Sequence, residues 1–85
     1  MSSTRAMREA MDKYTAFADR CETEINAMID EIADDATTEA RLQFIERALV
    51  ARIKHQSDAR RTATLLAESI AITENNARLA SLAHY

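Results

Sequence analysis

The chain has 85 residues, a net charge of −3, and no glycine, proline or tryptophan. A chain of this length forms one domain at most, residues 1–85, and its small core supplies little net stability without a staple or a partner. The one cysteine, Cys21, rules out an internal disulfide and fits a reducing compartment. With no glycine there is no phosphate-cradling loop. With no window of about 18 apolar residues there is no transmembrane helix to expect. The opening residues have no apolar core behind them, so no secretory signal is expected and a cytoplasmic location is.

The first element follows from one stripe. Met7, Met11, Tyr14, Ala18, Cys21, Ile25, Met28 and Ile32 recur with alternating steps of four and three. That is an unbroken heptad seam, which stays on one side of an α-helix and must meet another helix to leave water. A first helix is predicted over residues 4–33, with Ser2, Ser3 and Thr4 as candidate N-caps. Phe17 and Ile29 lie beside the seam and widen it.

The seam stops at Ile32, where Asp34, Asp35, Ala36, Thr37 and Thr38 follow. Such side chains compete with helical hydrogen bonding and favour turns and caps. A tight turn is predicted here, with Asp35 or Thr37 capping the next helix and Glu39 suiting the positive end of its dipole.

Leu42, Ile45 and Leu49 open a second stripe, continued by Ile53 or Arg52. It thins to Gln56, Ala59 and Ala63 and recovers at Leu66 and Ile70, flanked by Leu65 and Ile72. Leu79 and Leu82 follow a polar stretch at residues 73–76. Two readings stand: one helix over residues 38–73, bent or frayed near 55–58, or a short C-terminal third helix capped by Ser57. No segment alternates with period two, so no strand is expected. The fold class is all-α, an antiparallel hairpin of two long helices.

Charge supports the hairpin. Residues 1–40 hold ten acidic and four basic side chains, whereas residues 41–85 hold four acidic and seven basic. With the turn centred near Asp35, Asp30 is expected opposite Arg41, Glu24 opposite Arg47, Asp19 opposite Arg52, and Asp12 and Glu9 near Arg60 and Arg61. Exposed pairs of this kind add little energy but select a register. The same register leaves everything past Leu66 without a partner. Unpartnered apolar surface marks an interaction site, so the candidate partner-binding residues are Leu65, Leu66, Ile70, Ile72, Leu79 and Leu82.

No residue set states a reaction. His55 and His84 lack companions at ligand spacing, so no metal and no cofactor are expected. Cys21 sits in the seam, away from the electropositive setting of a reactive thiolate. No catalytic residue is assigned. The basic run Arg52, Lys54, His55, Arg60 and Arg61 is the one feature that suits nucleic acid, but the acidic balance and the acids facing it argue against that use.

The run Glu39-Ala40-Arg41-Leu42-Gln43-Phe44-Ile45-Glu46, after a polar turn, resembles the small YscE-type co-chaperones of type III secretion needle subunits. The resemblance spans residues 14–70 as a pattern. It implies a soluble cytoplasmic hairpin that joins a helical-repeat chaperone and keeps a needle subunit from polymerising early. The turn here lacks the Pro or Gly often seen in that family, and the tail past Ile70 is longer. Leu42, Phe44, Ile45 and Leu49 match only as hairpin residues. The function expected is therefore a chaperone- or adaptor-like subunit that buries a partner's amphipathic helix. Two alternatives stand beside it: a homodimeric four-helix bundle, such as a phage or plasmid accessory protein, and a nucleic-acid-binding regulator.

Overall fold

The computed structural model describes residues 2–83, with side chains from Thr4 onward. It contains two helices, α1 (Ser2–Ile32) and α2 (Glu39–Leu82), packed antiparallel as a hairpin. The helical content follows from a sequence rich in good helix formers and free of the two residues that interrupt helices. The molecule measures 71 × 16 × 13 Å with a radius of gyration of 19.8 Å. A compact chain of this length would have a radius of gyration of about 12 Å. This one is a rod with a single seam for a core.

The seam is the one the heptads describe. Ala18, Cys21 and Ile25 are buried, Met7, Met11, Met28 and Ile32 are half-buried, and Tyr14 lies at the edge. On α2 the inward row is Leu42, Ile45, Leu49, Arg52, Gln56, Ala59, Ala63, Leu66, Ile70 and Thr73, all buried or half-buried at alternating steps of three and four. Arg52, not Ile53, continues the stripe. Its aliphatic stem lies along the seam while its guanidinium reaches Glu24 at 2.6 Å. Ile53 is 49% exposed.

The turn differs in detail from expectation. Thr38 is the N-cap of α2, in extended conformation, and its hydroxyl accepts the N–H of Arg41 at 3.3 Å. Asp35 and Thr37 do not take that role. Thr37 instead donates its hydroxyl to the Glu31 carbonyl at 2.7 Å, satisfying an end group of α1. Asp34 accepts the N–H of Ala36 at 3.0 Å, a local side-chain turn. Thr37 and Thr38 thus each meet one backbone group that a helix end leaves open, and Asp34 closes the turn between them. At the other end, Thr4 lies inside the first turn of α1 and not ahead of it. The proposed caps Ser2 and Ser3 have side chains outside the described residues, as has all of His84.

Among the described residues no third helix forms, and α2 does not break near 55–58 or at 73–76. The polar residues there are accommodated without leaving the helix. Between the two stretches, Thr62 and Ser69 donate back to the carbonyls of Asp58 and Leu65 at 2.8 and 2.9 Å. Asn75 accepts from Arg78 one turn on, at 2.8 Å. Ser57 and Asp58 face solvent, where they do not compete with the ladder.

Thr38→Ala removes the one side-chain cap of α2. It is expected to lower stability by about 1 kcal/mol, read as a shift of the urea midpoint. Thr38→Ser, which keeps the hydroxyl, is expected to stay close to the parent.

Candidate interaction surface

The ion pairs between the helices fix how far α1 reaches along α2. Arg41 pairs with Glu31 at 2.8 Å rather than Asp30, and Arg52 with Glu24 rather than Asp19. Arg60 pairs with Glu22 at 2.8 Å and Asp19 at 3.6 Å rather than Asp12 and Glu9. Arg8 of α1 pairs with Glu74. All are displaced in one direction from the expected register. Helical side chains lean toward their own N-terminus. An arginine on α2 therefore reaches back toward the turn, and an arginine on α1 reaches out toward the far end of α2. Arg41 donates two hydrogen bonds to the Glu31 carboxylate. That hydrogen bonding and the adjacent negative charge raise its pKa further above the ordinary arginine value. The guanidinium's share of the pair is therefore present below the ordinary arginine value and is lost as pH rises through the raised one.

This register corrects the expected limit of the hairpin. Coverage does not stop at Leu66. Leu66 is half-buried, Ile70 is buried at 5% exposure, and Thr73 is the last residue of α2 that is not exposed. Ile70 belongs to the hairpin seam because α1 begins at Ser2 and its first turns lie against this part of α2. Residues 75–82 of α2 then run past the end of α1 for about 12 Å.

The remaining candidates form a separate row. Leu65, Ile72 and Leu79 are seven residues apart and 54%, 62% and 52% exposed, with Leu82 beside them at 58%. Seven residues is two turns, so the three lie on one line down α2, rotated away from the inward row. Phe44, 62% exposed, lies on the same line nearer the turn. Its ring carries the Arg41 guanidinium 5.3 Å from the centroid and borders a shallow groove of about 240 Å³ with Ala27, Met28, Ile45 and Ala48. Along the same broad side, Phe17 meets His55 edge-on at 6.5 Å, and Tyr14, Asp58 and Thr62 line a smaller hollow with them. A third groove, beside Met11, Arg60 and Ala63, opens on the opposite side, lined mostly by short side chains.

The basic run is divided by the fold. Arg52 and Arg60 are engaged with α1 carboxylates, and Lys54 and Arg61 point outward. Cys21 is buried as a free thiol. Among the described residues, no group of three or more His, Cys, Asp or Glu could hold a metal, and no helix is long and apolar enough to cross a membrane. The outer row is legible in the sequence as leftover leucine and isoleucine, whereas Phe44 enters there only as a hairpin residue. Its place seven residues before Ala51, and so in line with Leu65, is the signal that would have found it.

No family model, curated protein or solved structure matches this chain.

Two neighbouring positions separate seam from surface. Ile70→Ala is expected to lower stability by about 2–4 kcal/mol. Ile72→Ala, measured at high dilution where no second molecule covers it, is expected to stay within about 0.5 kcal/mol of the parent. Chemical denaturation of both variants checks the assignment.

Proposed function

We propose that this chain is a non-catalytic interaction subunit, chaperone- or adaptor-like, whose outer row on α2 receives an amphipathic helix. The observation that carries this reading is the line of Leu65, Ile72 and Leu79, half or more exposed, continuing with Leu82 onto a stretch of helix that α1 does not reach. A soluble chain seldom keeps large apolar side chains aligned and uncovered over such a length unless something docks there. Heptad spacing is the geometry that accepts a helix, through anchors at i, i+3, i+4 and i+7. The rod itself is the scaffold: its seam holds α2 straight and presents Leu65, Ile72 and Leu79 as a ridge, with Ala51 and Asp58 on the same line between it and Phe44.

The resemblance of residues 39–46 to the YscE-type co-chaperones gives this reading its most specific form. The subunit would act in the cytoplasm, within a chaperone complex that shields a type III secretion needle subunit. The mechanism would be masking. The client's assembly helix loses less apolar surface to water on this ridge than it would exposed, and polymerisation is suppressed while it is held.

The test is co-expression with the proteins encoded beside it, comparing the parent with the Ile72→Asp, Leu79→Asp double variant. A complex recovered with the parent and lost with the double variant, while helicity by circular dichroism is unchanged, is the expected outcome. Retention of the complex by the double variant would remove the outer row from the function.

A further inference from the structure

We infer that in the isolated protein the outer row of α2 is covered by the α2 of a second copy, the two helices running antiparallel about their common midpoint near Arg60 and Arg61. This rests on the reading of the outer row as a docking ridge and names its occupant.

Three observations lead there. The first is length. α2 has 44 residues and α1 has 31, and residues 75–82 are exposed among the described residues of the hairpin. A second α2, reversed about the midpoint, lays its first two turns over that stretch. Phe44 of one copy then falls against the last turns of the other, and Ile72 falls against the small residues Ala48 and Ala51.

The second is charge. Lys54, Arg61 and Glu68 stand seven residues apart on the flank of the ridge, with Asp58 next to them on the line of Leu65 and Ile72, all exposed. Among the described residues none of these four joins an ion pair within the hairpin. Reversal about the midpoint brings Lys54 level with Glu68 of the other copy and Asp58 level with the other copy's Arg61. Twofold symmetry repeats each pair. Side by side in the parallel sense, Lys54 would meet Lys54 and Glu68 would meet Glu68.

The third is area. The chain exposes 6562 Å², whereas a compact monomer of its mass would expose about 5,000 Å². The excess of about 1,500 Å² per chain is of the order that stable dimers bury. The product is a four-helix bundle in which every neighbouring pair of helices is antiparallel.

Charge reversal tests the pairing directly. Lys54 and Glu68 lie about 21 Å apart in one helix, too far to interact within a chain. In sedimentation equilibrium the parent is expected to dimerise. Lys54→Glu and Glu68→Lys alone are each expected to weaken the dimer about ten-fold, and the double variant to recover it. In a Cys21→Ala background, Lys54→Cys mixed with Glu68→Cys is expected to cross-link through a short bis-maleimide, and neither alone to do so. A helical monomer at submillimolar concentration would overturn the inference. So would a dimer indifferent to both reversals, or one cross-linked by Lys54→Cys alone. If the protein is monomeric yet the Ile72→Asp, Leu79→Asp variant still loses its co-expressed partner, the docking ridge stands and only the second copy falls.

Discussion

The stripe that α1 presents from Met7 to Ile32 can cover only one side of α2, and only as far as its own length extends. Most of the molecule's character follows from that constraint. Burial is confined to a line of residues shared between two helices, so the chain is a rod and not a globule. On the outer side of α2 and toward its end, the large apolar side chains Leu65, Ile72, Leu79 and Leu82 stay half or more exposed among the described residues.

The seam is uneven along its length. Large side chains gather toward the turn, at Ile25, Met28, Ile32, Leu42 and Ile45, and again at the open end, at Met7, Met11, Leu66 and Ile70. Between them lie Ala18, Cys21, Ala59 and Ala63, with Arg52 and Gln56 in the inward row. Small residues release less apolar surface from water than leucine or isoleucine would, so the middle adds less to stability. Polar side chains in a seam lower stability further but restrict register, because a shifted alignment leaves them unpaired. Arg52 illustrates the balance: slipping one heptad would separate it from Glu24 and leave the charge inside the seam. The ion pairs flanking the seam, Arg60 with Glu22 and Arg8 with Glu74, reinforce the same alignment while adding little energy of their own.

The two-helix architecture, the seam residues of α1 and the place of the turn were legible in the sequence, because steps of four and three recur there without a slip. The cap was not. Asp35, Thr37 and Thr38 are all competent caps, and only the path of the chain decides that Thr37 closes α1 while Thr38 opens α2. The fate of Ile70 was also hidden. A register counted from the turn treats side chains as perpendicular to the helix, whereas their lean toward the N-terminus extends the reach of α1 by a turn or more. Continuity through residues 55–58 and 73–76 goes with Ser57, Asp58 and residues 74–76 facing solvent and with Asn75 accepting from Arg78, which composition does not reveal. Of the candidate surface, the isoleucine and leucines past Leu66 were visible as surplus apolar residues. Their division into a buried Ile70 and an exposed line of Leu65, Ile72 and Leu79 required knowing which side of α2 faces α1.

The account separates two parts of α2: residues held by α1 within one chain, and residues held by whatever docks outside. Amide hydrogen exchange followed as a function of protein concentration tests that separation most directly. Protection from Ile45 through Ile70 is predicted to vary little with concentration, whereas protection over residues 75–82 is predicted to rise as concentration increases. Protection that changes uniformly along α2, or a stretch over 75–82 that is protected equally at every dilution, would contradict it.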